Sequence, residues 1–97
     1  MHNDISISEK FEEFHALNPH VYELFVRYSR MALDRGFERF SAKAVFERLR
    51  WHLNFETRGD DTFKINNNYT ALYARKTMEE YPEFVGFFEL RERISER

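Results

Sequence analysis

The chain has 97 residues, 42% of them hydrophobic and 18% aromatic, which is enough for one modest core and too apolar for a disordered segment. It has no cysteine, so a disulfide framework and a thiolate zinc site are excluded, and no apolar run approaches the roughly 20 residues that cross a membrane. The formal charge is −2, but one basic residue faces five acidic ones over residues 1–26, eleven face six over 27–76, and three face six over 77–97. The basic middle between two acidic ends reads either as ordinary solvated charge or as a surface facing nucleic acid.

The start, MHNDISISEK, is polar and acidic and lacks a signal-peptide pattern. Ser6 followed by Glu9 reads as a capping box. Ile7, Phe11 and Phe14 then share one side of a short helix running to about Leu17. Asn18-Pro19 marks a boundary, with Asn as cap and Pro at the first helical position. From there Val21, Leu24, Phe25, Tyr28, Met31 and Ala32 follow the i, i+3, i+4, i+7 template of a core helix, with Glu23 and Arg27 as an i, i+4 pair. Gly36 supplies a left-handed stop.

Phe37 and Phe40 belong to a short link and are expected to tuck under the helices. Ser41 caps a third helix, whose Ala42, Val45, Phe46, Leu49 and Leu53 face inward while Lys43, Glu47, Arg48 and Arg50 face outward. Trp51 fits either the core edge or a partly exposed position. After Leu53 the period changes to two. Asn54–Arg58 and Thr62–Asn66 flank Gly59-Asp60-Asp61, which predicts a small β-hairpin packed on the helices.

Asn67 or Asn68 caps a fourth helix that Pro82 ends near Tyr81. Its inward face is expected to hold Ala71, Ala74, Met78 and Tyr81, with Leu72 on the flank. Tyr69, Tyr73, Lys76 and Glu80 share the opposite face, on which the two tyrosines fit either a solvent-facing contact surface or packing against the hairpin. The remainder, FVGFFELRERISER, reads as a short strand through Phe87, Phe88 and Leu90 or as a terminal helix. The expected fold is mainly α (α+β): a compact, four-helix-rich single domain over 1–97 with a small hairpin, winged-helix-like, and flexible ends at 1–6 and 94–97.

Little in the sequence points to catalysis. His2, His15, His20 and His52 do not share an i, i+4 spacing or an HExxH cluster. Glu12-Glu13 and Asp60-Asp61 are adjacent carboxylates, suited to a solvated face and a turn tip. Glycines stand only at 36, 59 and 86, so no phosphate loop is present, and no Ser or Thr carries the local signature of an activated nucleophile. The chain is read as a non-enzyme with no metal and no cofactor.

Two helices, the second rich in polar, aromatic and basic groups at its start, fit duplex-DNA binding. Asn pairs with adenine, Tyr and Thr with phosphate, and Lys and Arg supply charge. The candidate contact set is Lys64, Asn66, Asn67, Asn68, Tyr69, Thr70, Tyr73 and Lys76, backed by Arg48, Arg50 and Arg58, with Arg75 adding charge. About fifteen residues separate the helices, against about three or four in a standard helix-turn-helix. The alternative is a protein-binding module without catalysis, favoured by the aromatic excess and the acidic ends. Homodimerisation fits either.

The segments FHALNPHVYELFVRYSRMALDRG, SAKAVFERLRW and FKINNNYTALYARKTMEEYPEFVGFFELRER resemble a family of small bacteriophage- and prophage-encoded proteins. The resemblance covers residues 11–93. It implies a phage or bacterial origin and the cytoplasm of a bacterial host, and it carries no residue roles. Small phage proteins act by binding DNA or by binding and inhibiting a host protein, so the resemblance is neutral between the two readings.

Overall fold

Local chemistry sets the ends of most helices. The structure, a computed structural model, describes residues 7–56 and 68–89. Helix α1 spans Ile7–Leu17 and α2 spans Pro19–Asp34, so only Asn18 separates them. The expected cap at Asn18 does not form. Its side-chain amide instead donates backwards to the Phe14 carbonyl at 3.1 Å, closing α1 rather than opening α2. Helix α2 ends in a Schellman turn: the Gly36 amide reaches Leu33 O at 3.0 Å and the Phe37 amide reaches Ala32 O at 3.3 Å. Gly36 has φ +98°, a conformation that a side chain would strain.

Strand β1 (Phe40–Ser41) leads directly into α3 (Ala42–Trp51). The Ser41 hydroxyl accepts from the Ala44 amide at 3.1 Å, the predicted N-cap. Past Trp51 the chain does not become a strand. His52–Glu56 continues α3 as a π-helical turn, which keeps Leu53 in the buried row below Val45, Phe46 and Leu49. Asn54, Phe55 and Glu56 are thus helical, correcting the first arm of the expected hairpin. Phe55 has no buried face to alternate with, being 67% exposed. The other arm, Thr62–Asn66, and the turn at Gly59 lie outside the described residues, as do Ser6 and the chain ends.

Helix α4 covers Tyr69–Glu80, followed by a 3-10 turn at Pro82–Phe84 and strand β2 (Phe88–Glu89). Gly86, at φ +82°, turns the chain into β2. The two strands pair in parallel, Phe40 with Phe88 and Ser41 with Glu89, and the Phe40 amide donates to Phe87 O at 2.9 Å. This pairing ties the start of α3 to the end of the α4 segment. The expected strand through Phe87, Phe88 and Leu90 is therefore present as Phe88–Glu89, with β1 as its described partner.

Rings fill the centre. Tyr73 of α4 is 0% exposed and meets a ring from each of the other helices. Phe11 of α1 stands edge-on at 4.8 Å, Phe25 and Tyr22 of α2 stack at 5.6 and 6.2 Å, and Phe46 of α3 lies at 6.2 Å. Phe84, Phe87 and Phe88 extend the cluster, with Phe88 5.5 Å from Phe25. Each such pair adds about 0.5–1.5 kcal/mol beyond area burial. Arg30 of α2 holds the turn after α4: its guanidinium lies over Tyr81 and Phe84 at 5.6 and 5.1 Å and pairs with Glu83 at 2.8 Å. Met31 and Phe37, expected inside, are instead 52% and 49% exposed. No helix among the described residues is long and apolar enough to cross a membrane.

Candidate nucleic-acid interface

Helix α4 is rotated about its axis from the orientation its sequence pattern predicts. Its buried residues are Tyr69, Tyr73, Ala74 and Thr77, while Tyr81 is exposed and Ala71 and Met78 are half-buried. The reason is the aromatic shelf around it. Phe11, Tyr22, Phe25 and Phe46 offer flat apolar faces that a phenol ring fills and an alanine does not. Burial raises the Tyr73 phenol well above its ordinary pKa, and Tyr69 adds to the effect. Among the described residues the Tyr73 hydroxyl has no hydrogen-bond partner. Tyr69 is raised too, by burial first and the Glu13 carboxylate second. Both stay neutral phenols, and Tyr73 as placed is closed to any ligand.

The rotation redistributes the expected contact set. Asn68 is exposed and Thr70 half-buried, and these two share an open cleft. Lys76 is drawn away into a clasp on α2. Its ammonium pairs with Glu80 at 3.3 Å and lies 5.4 Å from the centre of the Tyr22 ring, while the Tyr22 hydroxyl donates to Glu80 at 2.9 Å. The hydrogen bond from Tyr22, helped by Lys76, holds the Glu80 carboxyl below its usual range. Arg48 lies over the Tyr28 ring at 4.8 Å and Arg50 over Phe46 at 5.5 Å, and neither lines the cleft. Arg58, Lys64, Asn66 and Asn67 lie outside the described residues.

The cleft, of about 960 Å³, runs between the N-terminal ends of α3 and α4, with β2 along one side and Ile7 of α1 at its rim. Its floor is apolar, formed by Ala42, Phe46, Ala71 and Leu72. Arg39, Lys43 and Arg75 stand around it with the acids Glu47 and Glu89. Lys43 makes an exposed i, i+4 pair with Glu47 at 3.4 Å, worth little in water. Arg39 and Arg75 pair with no carboxylate among the described residues. The amide ends of two helices add positive potential to the same space.

Sequence reasoning found Asn68, Thr70 and Arg75 but passed over Arg39 and Lys43. The available signal was position: both flank the Ser41 cap, where a cation and a helix start coincide. No group of three or more metal-ligating side chains with suitable geometry occurs among the described residues. A separate surface feature stands at the far end of α3, where the Trp51 and Phe55 rings meet at 4.6 Å, tilted by 47°, while 55% and 67% exposed. No protein-family model, no curated protein and no solved structure matches this chain.

Proposed function

We propose that this is a small phage-type, non-catalytic protein that binds duplex DNA through the cleft between the starts of α3 and α4. The observation that carries the reading is the meeting of Arg39, Lys43 and Arg75 with Asn68 and Thr70 around one open space. Two arginines without acidic partners among the described residues keep their charge available there, and phosphate contact needs that. Asn68 and Thr70 supply neutral hydrogen-bonding groups at the same rim. The contact surface differs from the one the sequence pattern favours: Tyr73 is in the core and Lys76 faces the Tyr22 clasp.

Binding to a fluorescein-labelled duplex tests this. Association strengthens as salt falls, with three cations contributing a log–log slope of roughly −3. Changing Arg39 and Arg75 together to Glu weakens binding at least about tenfold and flattens that slope by about 2. A duplex whose anisotropy stays unchanged at low salt with micromolar protein sinks the reading. The second reading, docking onto a host protein, draws on the exposed Trp51–Phe55 pair, since exposed aromatics of this kind anchor interfaces. It predicts that Trp51→Ala abolishes capture of a saturable partner from bacterial lysate and leaves duplex binding unchanged.

A further inference from the structure

Tyr69 adjoins Asn68 and Thr70 at the cleft end of α4, yet it is buried. Its ring neighbours among the described residues both come from α1: Phe11 at 5.4 Å and Phe14 at 5.4 Å. Among the described residues the rings that cover Tyr69 thus come from α1 alone, whereas those around Tyr73 come from α1, α2 and α3.

Helix α1 buries little of its surface. Phe11 is its one buried residue; Phe14 and His15 are half-buried, and the rest of Ile7–Leu17 is exposed. Docking also leaves His15 Nδ1 buried with no hydrogen-bond partner among the described residues, which offsets part of the gain from the rings. A helix with so few buried apolar contacts belongs to the low-stability end of a fold. Its junction to α2 is the single residue Asn18, at φ −134° and ψ 61°, followed by Pro19. Rotation there swings α1 without unwinding α2.

The charge of α1 completes the picture. Glu9, Glu12 and Glu13 outnumber Lys10 on this helix, and Glu13 acts on the Tyr69 phenol. Ile7 sits at the rim of the cleft. Docked, α1 therefore holds the Glu13 carboxylate by Tyr69, whose chain neighbours Asn68 and Thr70 line the cleft.

We infer that α1 is an acidic lid hinged at Asn18, and that swinging it away from α4 exposes Tyr69 and completes the nucleic-acid surface. The inference rests on the DNA reading for its ligand but not for the motion. The open form presents the Tyr69 ring and hydroxyl beside Asn68 and Thr70 and withdraws Glu12 and Glu13. The closed form lowers apparent affinity by the fraction of molecules in which the lid is shut.

Two measurements on the full chain test it. Hydrogen exchange of the free protein reads the motion: amides of α1 exchange at least about tenfold faster than those of α3. Phe11→Ala removes the ring that grips Tyr69 and Tyr73, and a folded variant binds a mixed-sequence duplex about tenfold more tightly than the wild type. Protection in α1 equal to that in α3 overturns the lid, and so does unchanged or weaker binding by folded Phe11→Ala. If neither protein binds duplex, the DNA reading fails, and the exchange result alone decides whether α1 opens.

Discussion

Helices α1 and α4 meet at the same rings, yet they are held in different ways. Helix α4 buries Tyr69, Tyr73, Ala74 and Thr77, and its central tyrosine touches every other helix. Helix α1 buries only Phe11. Both are short, both carry charged outer faces, and both contribute aromatics to one cluster. The difference is the number of neighbours on which each ring depends. Tyr73 keeps the rings of two other helices, α2 and α3, if α1 leaves, whereas Tyr69 keeps none of its described ring contacts.

The comparison can be broken most directly by removing each helix's main anchor. Tyr73→Ala leaves a ring-sized hole between all four helices and costs about 3–5 kcal/mol of unfolding free energy. Phe11→Ala costs less, about 1–2 kcal/mol, because α1 can undock instead of leaving a cavity behind. Urea denaturation followed by circular dichroism measures both. Equal losses would mean that α1 is as integral to the core as α4.

The clasp between α2 and α4 sharpens the comparison from another side. Tyr22 donates to Glu80, and that bond leads the effects holding the Glu80 carboxyl below its ordinary range. A carboxyl with a lowered folded pKa contributes stability that is full above its unfolded value and fades as pH falls through the folded one. Tyr22→Phe accordingly costs about 0.5–1 kcal/mol near neutral pH, the modest figure reflecting the exposure of Glu80. The gap between variant and wild type narrows as the solution is acidified from about pH 5 to pH 3. Thermal melts across that range check it, and a gap independent of pH would show that Glu80 does not hold the clasp.

The smallest effect concerns the hydroxyl of Tyr73. Buried without a hydrogen-bond partner among the described residues, it costs desolvation and returns little. Tyr73→Phe keeps the ring and is neutral or stabilising by up to about 1 kcal/mol. A clear loss of melting temperature would reveal a partner for that oxygen. The pair of Tyr73 variants thus separates the ring, which holds the helices together, from the hydroxyl, which does not.

Legibility followed the range of the interactions involved. Pro19, the Ser41 cap, the left-handed Gly36 and the stop before Pro82 all act on the backbone within a few residues, and each boundary stands where the sequence places it. The inward rows of α2 and α3 were also readable, apart from Met31, because their apolar residues recur at helical spacing. Beyond Leu53 the alternation of Phe55 with polar residues imitated a strand. The burial of Leu53 under α3 made that segment helical instead.

By itself the sequence determined how many helices form, where most of them begin and end, and that its basic charge lies between two acidic ends. Those properties come from capping, glycine and proline chemistry, and composition, none of which needs a distant partner. Tertiary structure alone decided which side of α4 is the inside. A tyrosine suits a core or a surface equally well, and only Phe11, Tyr22, Phe25 and Phe46 converging on Tyr73 settle the choice. That same convergence turned Lys76 toward Glu80 and left Arg39, Lys43 and Arg75 as the cations around the cleft.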